Sequence, residues 1–263
     1  MNAADLGALA ADIAREAGDL AKRRRAEGVS LAATKSTLAD IVTEADREVE
    51  QLIRERLRTE RPDDGFLGEE TGAARSASGL TWVVDPIDGT VNYAYGIAAY
   101  SVSIAVVEGD PTPETWTGVA SAVHAPALGE LFTAVRGEGA WLDGIRLAVN
   151  TETAAGALLG TGFGYDPATH DDDLVMVRRV MTMARDLRRM GSAAIDLSYV
   201  AAGRLDGFFE RGLNAWDFAA GALLVQEAGG VLSRLELDQS RPMVVAGGPD
   251  VHNRLRGIVS GAA

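Results

Sequence analysis

The chain contains no cysteine. That excludes disulfides, thiolate zinc sites and a cysteine nucleophile, and it fits a cytoplasmic protein. Histidine is scarce. His124, His170 and His252 have no metal-ligand spacing, so core or surface roles are expected of them. No apolar run approaches the roughly 18 residues of a membrane span. The N-terminus shows no apolar core behind a basic start, so neither membrane attachment nor a signal peptide is expected. Positive charge is also in deficit, with 25 Lys and Arg against 38 Asp and Glu and a net charge of −13. An acidic balance of this size argues against a nucleic-acid partner. The basic run Lys22-Arg23-Arg24-Arg25 ends a predicted helix, where the dipole favours cations, and is expected to be solvated. A P-loop is absent, and Gly160-Thr161-Gly162-Phe163-Gly164 lacks the dinucleotide spacing, so its glycines read as strand-end turns.

The chain has 263 residues, of which 47% are hydrophobic, enough for one large domain or two packed halves. Leu6, Leu9, Ile13, Ala17 and Leu20 predict a helix over 3–26 that stops at Gly28. A second helix is expected over 39–59, with Asp46 on the same face as Val49 and Ile53, where an acid needs a partner. A strand at 65–67 follows. Strands at 101–107, 117–124 and 130–136 then form an antiparallel meander with turn signals between them. Beyond about residue 150 the pattern alternates. Strands are expected at 157–162, 206–210 and 243–246, and helices at 171–185, 192–202, 217–228 and the end of the chain. This predicts a mixed α/β fold with an α+β half at 1–150 and an α/β half at 151–263.

Within it, "WVVDPIDGTVNY" carries two acids three residues apart, Asp85 and Asp88, at the tip of an apolar strand. Glu69 closes another strand, and Asp217 stands at the start of a helix. Each has an ordinary reading: Asp88-Gly89 as a turn, Asp217 as a helix cap, Glu69 as loop surface. Together they would repel unless cations stood between them. Mg²⁺ takes oxygen ligands, and two ions about 3.5–4 Å apart clamp a phosphoryl displacement. Gly89 and Thr90 offer backbone N–H groups to a phosphate, and the Thr90 hydroxyl could hold a water, with Asp46 as the acid that could orient that hydroxyl. The spacing of three disfavours an aspartyl-phosphate nucleophile, which uses D-x-D.

"FLGEE", "WVVDPIDGTVNY" and "AWDFAAGALLVQEAGG" together resemble the inositol monophosphatase family, the Mg²⁺-dependent, Li⁺-sensitive sugar phosphatases. "GFGYDP" and "RRMGSAAIDLSYVAAGRLDGFFE" are similar to its bacterial members. The resemblance implies a layered αβαβα sandwich and a homodimer. It implies two to three Mg²⁺ ions held by Glu69, Asp85, the Ile87 carbonyl, Asp88 and Asp217. Asp46, Thr90 and Glu69 would direct the attacking water, with Lys35 an auxiliary basic residue near the outer metal shell. Gly89 and Thr90 would cradle phosphate, while Gly191, Ser192, Ala193, Glu210 and Asp217 would contact substrate. A short 70–80 loop and Tyr93, where phenylalanine is usual, are departures. The expected activity is hydrolysis of inositol 1-phosphate. The alternatives are histidinol phosphate, another sugar or nucleotide phosphate, or a metal-binding regulatory protein with secondary phosphatase activity.

Overall fold

The first helix, α1 (Ala3–Glu27), begins with a reciprocal cap: the Asp5 N–H donates to Asn2 Oδ1 at 2.9 Å, and the Asn2 N–H donates to Asp5 Oδ2 at 3.0 Å. The structure is a computed structural model and describes residues 1–28, 31–34, 41–151, 156–237 and 241–261. Lys35 lies outside them.

Strands β1 (Leu31–Thr34) and β2 (Ile41–Thr43) pair antiparallel, and α2 (Glu44–Glu60) follows. The helix therefore starts five residues later than expected, because Ile41-Val42-Thr43 is β-branched throughout and pairs as a strand. Next come β3 (Gly65–Gly68), β4 (Gly72–Ala74), β5 (Leu80–Asp88) and a short helix α3 (Thr90–Tyr95). The meander is β6 (Ser101–Glu108), β7 (Thr117–Ala125), β8 (Glu130–Val135), β9 (Gly139–Leu142) and β10 (Ile145–Arg146). These strands form one eight-stranded sheet in the order β10-β9-β8-β7-β6-β5-β3-β4.

The rest of the chain supplies β11 (Ala157–Thr161), α4 (His170–Val180), β12 (Ala184–Arg188), α5 (Ala193–Ala201) and β13 (Gly207–Arg211). It ends with α6 (Ala215–Glu227), β14 (Val231–Leu235), β15 (Met243–Gly247) and α7 (Pro249–Val259). Its five strands form a second sheet, β12-β11-β13-β15-β14. The expected 171–185 helix ends at Val180, and residues 184–188 instead run parallel to β11 at the sheet edge.

Alternation along β5 ties the layers together. Trp82 and Val84 pack with α1 and α2, whereas Val83 faces the core shared with α5 and α6. That second core also takes Phe208, Val244 and Ala246 from the smaller sheet. Helices α4 and α7 cover the far face of that sheet. The layers thus run helices, sheet, helices, sheet, helices. The basic run is only partly solvated: Arg24 pairs with Glu27 and Glu48, and Arg25 lies partly buried against Gly96.

The base of β5 is anchored by Asp64, which accepts hydrogen bonds from Trp82 Nε1 (2.8 Å), Arg61 Nε (2.7 Å) and Ser78 Oγ (2.5 Å). Burial alone would raise this carboxyl's pKa, but the Arg61, Ser78 and Trp82 donors outweigh it and hold it below the usual range. Asp64→Ala is expected to cost about 1–3 kcal/mol at pH 7, because the indole and guanidinium donors lose their acceptor. A depressed folded-state pKa stabilises above the unfolded pKa and is lost as pH falls through the folded value. The gap between wild type and variant in urea unfolding should therefore shrink below about pH 4; a gap that stays constant to pH 2 would refute the assignment.

Candidate active site

Residues on a strand alternate faces, so two acids three apart belong on opposite sides of a sheet. Here they do not. Asp85 pairs with Ser103 and Asp88 with Ser101, so β5 carries one extra residue over this interval. The bulge at Pro86-Ile87 resets the alternation. Ile87 turns into the α1/α2 core, and Asp85 and Asp88 open onto the same cavity.

The cavity has a volume of about 620 Å³. Glu69, from the turn after β3, lines it beside Asp85, Ile87 and Asp88 from β5. Gly89 adopts φ +92°, and a Cβ there would stand 2.9 Å from the Ala99 carbonyl oxygen, so only glycine fits between that strand and α3. Thr90 opens α3 and lines the cavity too. Its Oγ1 lies 3.2 Å from Asp46 Oδ1 and 3.0 Å from the Ile87 carbonyl oxygen, so its one proton is shared between them. Asp46, almost fully buried in the first turn of α2, stands behind Thr90.

Helix starts supply the opposite wall. Gly191, Ser192 and Ala193 lead into α5. The Ser192 hydroxyl and the Ala194 N–H donate to Asp88 Oδ2 at 2.5 and 2.7 Å, so that carboxylate sits on a helix N-terminus. Asp217 is the third residue of α6 and not its cap. Asn214 is the cap, and its N–H donates to Asp217 Oδ2 at 2.6 Å. Glu210, at the end of β13, completes the ring. Every residue marked in the sequence that lies among the described residues therefore lines the cavity except Asp46, which backs Thr90.

Electrostatics set this wall apart. Burial pushes the Asp85 carboxyl well above the usual carboxylate range, and the charges of Glu69, Asp88, Asp217 and Asp46 push it further. Asp217 is raised by burial and by Asp88 despite the Asn214 N–H. Glu210 is pushed up to about 8 by burial, with Arg189 opposing. Among the described residues no three acidic or histidine side chains are drawn close enough to hold a metal ion as they stand. Asp88 and Asp217 each accept protein donors at Oδ2, and both side chains line the cavity. An all-oxygen donor set in which buried carboxylates repel one another suits a hard divalent cation.

A family model described as "Inositol monophosphatase family" matches residues 3–260. The chain belongs to the inositol monophosphatase family. The inositol-1-monophosphatase SuhB of Mycobacterium tuberculosis is 41% identical over 273 residues, covering 96% of this chain and 92% of that one. A Pasteurella multocida protein named Nus factor SuhB is 44% identical over 223 residues, covering 83% and 81%. The solved structure of the extragenic suppressor protein suhB from Bartonella henselae superposes with a TM-score of 0.84 at 35% identity, covering 97% of this chain and 98% of that one.

Part of the cavity wall comes from side chains to which the sequence motifs assign no role. Phe163, Tyr165, Arg189, Arg211, Trp216 and Arg241 also line it. Arg189 had a signal, standing two residues before Gly191. Arg241 had none, because it arrives from β15 by way of an ion pair with Asp173 at 3.1 Å.

Proposed function

We propose that the chain is a Mg²⁺-dependent hydrolase of phosphate monoesters on small polyols, with inositol 1-phosphate the first substrate. The observation that carries this reading is the convergence of Glu69, Asp85, Asp88 and Asp217, from three separate segments, on one cavity that Thr90 and Glu210 also line. The donor set Glu69, Asp85, the Ile87 carbonyl, Asp88 and Asp217 would hold two to three Mg²⁺ ions, which neutralise phosphate charge and make water a nucleophile near neutral pH.

The chain's own groups do the rest. The Thr90 hydroxyl spends its proton as a hydrogen-bond donor to Asp46 or the Ile87 carbonyl, which leaves its oxygen free to accept from a water aimed at phosphorus. Glu69 faces that same water from the β3 turn. The N–H groups of Gly89 and Thr90, with Gly191, Ser192 and Ala193 opposite, cradle the phosphate. As the water oxygen bonds to phosphorus, the ester P–O bond breaks in line. A water beside Asp217 protonates the departing alkoxide, and the proton released by the attacking water replaces the one given up. Glu210 accepts hydrogen bonds from the polyol hydroxyls.

Hydrolysis of inositol 1-phosphate should require Mg²⁺, stop in excess EDTA and resume when Mg²⁺ is restored. Millimolar Li⁺ should inhibit uncompetitively. Full-rate hydrolysis in EDTA would end this reading. A wide preference for histidinol phosphate would replace the substrate and keep the mechanism.

Exposed Leu174 and Val175 on α4, with Met181 just beyond it, support a homodimer, which light scattering tests directly. The name Nus factor on a relative 44% identical favours a second reading, a regulatory protein with secondary phosphatase activity. A stoichiometric protein partner in a pulldown, retained by a variant without turnover, would favour it.

A further inference from the structure

Glu50 is a carboxylate with no place in the mechanism above, and it is fully buried on α2. The turn between β3 and β4 consists of Glu69, Glu70 and Thr71. It lies at the sheet edge, where backbone N–H groups have no ladder partner and a short turn is free to fray. Glu50 supplies what the ladder does not. Its Oε2 accepts from the Glu70 N–H at 2.9 Å, and its Oε1 accepts from the Thr71 N–H at 2.9 Å. The Thr71 hydroxyl also donates to Oε1, and Arg54 donates to that hydroxyl. The Arg54 guanidinium lies 4.6 Å from the centre of the Phe66 ring, on β3 itself.

We propose that Glu50 is the positioning residue for Glu69: its carboxylate latches the turn from below, so that the Glu69 side chain is presented to the cavity. The inference rests on the hydrolase reading, because Glu69 is there a metal ligand. Two facts separate a latch from ordinary core packing. Both carboxylate oxygens are spent on the two N–H groups that directly follow Glu69. Glu69 is held from its other side too, by its own N–H donating to the Val84 carbonyl at 3.3 Å, one residue before Asp85. The turn is therefore pinned to α2 at one end and to β5 at the other. A buried carboxylate without donors would be costly, so the turn and the helix specify each other. Groups that orient a metal ligand from behind typically change metal affinity by about 10- to 100-fold when altered.

The test compares the full chain with Glu50→Gln, which keeps the shape but turns an amide NH₂ toward one of the two N–H donors. In the metal-free protein, amide exchange at Glu70 and Thr71 should accelerate. By calorimetry, Mg²⁺ affinity should fall about 10- to 100-fold. At saturating Mg²⁺, KM for inositol 1-phosphate should stay at the wild-type value, because the substrate contacts are untouched. Thr71→Val is a milder variant that keeps both N–H bonds and removes only the hydroxyl. It should weaken Mg²⁺ by about threefold, the worth of one ordinary hydrogen bond. A folded Glu50→Gln with wild-type Mg²⁺ affinity overturns the inference even if its melting point falls, since Glu50 would then serve only the fold. Should Glu50→Gln not fold, unchanged Mg²⁺ affinity in Thr71→Val overturns it. Absence of Mg²⁺ binding in the wild type is a different failure, since it overturns the hydrolase reading and takes the latch's purpose with it.

Discussion

Asp85→Asn is expected to cut kcat/KM on inositol 1-phosphate by about a thousandfold while making the metal-free protein harder to melt. The two effects have one cause. Asp85 is buried, with Glu69, Asp88, Asp217 and Asp46 as its charged neighbours. Without a cation this gathering of like charges is repulsive, and a neutral amide of the same shape relieves it. With a cation the same charge is what binds. Removing several kcal/mol of charge stabilisation, at about 1.36 kcal/mol for each factor of ten, gives the size of the kinetic loss. Each kcal/mol of repulsion relieved should raise Tm by about 2–4 °C in a domain of this size. Added Mg²⁺ should then stabilise the wild type more than the variant, because only a species that binds the native state shifts its melting. Calorimetric scans of both proteins, with EDTA and with Mg²⁺, decide the matter. If Asp85→Asn melts lower than wild type in EDTA, the carboxylate is held by favourable protein contacts and is not poised for a cation.

Glu210→Ala should lower kcat/KM on inositol 1-phosphate by about ten- to a hundredfold and leave p-nitrophenyl phosphate almost untouched. A hydrogen bond is worth about 0.5–1.5 kcal/mol to a neutral group and about 1.5–3 kcal/mol to a charged one, two such bonds to the polyol give the expected range, and the nitrophenyl ester has no hydroxyls to offer. Gly162 sharpens the test. A Cβ built there would fall 2.2 Å from the Cδ, Oε1 and Oε2 atoms of Glu210, so the carboxyl lies flat on the glycine. Gly162→Ala is thus expected to swing Glu210 aside and to reproduce the selective loss without touching an acid. Equal losses on both esters, in either variant, would assign Glu210 to the metal site or to the fold.

Much of this was legible in the residues, and the gaps have physical reasons. Helix α1, the meander strands and α6 announce themselves by periodicity and glycine stops. Strand β12 does not. Ala184-Arg185-Asp186-Leu187-Arg188 is a largely exposed edge strand with a single large apolar residue, and Val177, Val180 and Met183 extend the helical pattern up to it. The capping of α6 by Asn214 was hidden because Asp217 is an equally good cap by type; only the hydrogen bond decides. The acids of the cavity wall stand in short motifs, so the sequence marks them. Glu50 is different. Its partners are backbone N–H groups, and no residue letter records where a backbone group points. Arg211 and Arg241 reach the cavity by three-dimensional packing of the second half, which periodicity does not encode.

The extra residue in β5 has one more consequence, for how this stretch tolerates changes in length. A strand's facing depends on whether the count of residues is odd or even. Losing one residue between Asp85 and Asp88 would abolish the bulge and keep both acids on one face by plain alternation, but it would also abolish the turn that sends the Ile87 side chain into the core and its carbonyl to Thr90. The tip between β6 and β7, residues 109–116, has no such parity to keep, since lengthening a surface loop costs only slowly with length. Over the lineages of this fold, additions should gather at such tips, while the distance between the two aspartates stays fixed.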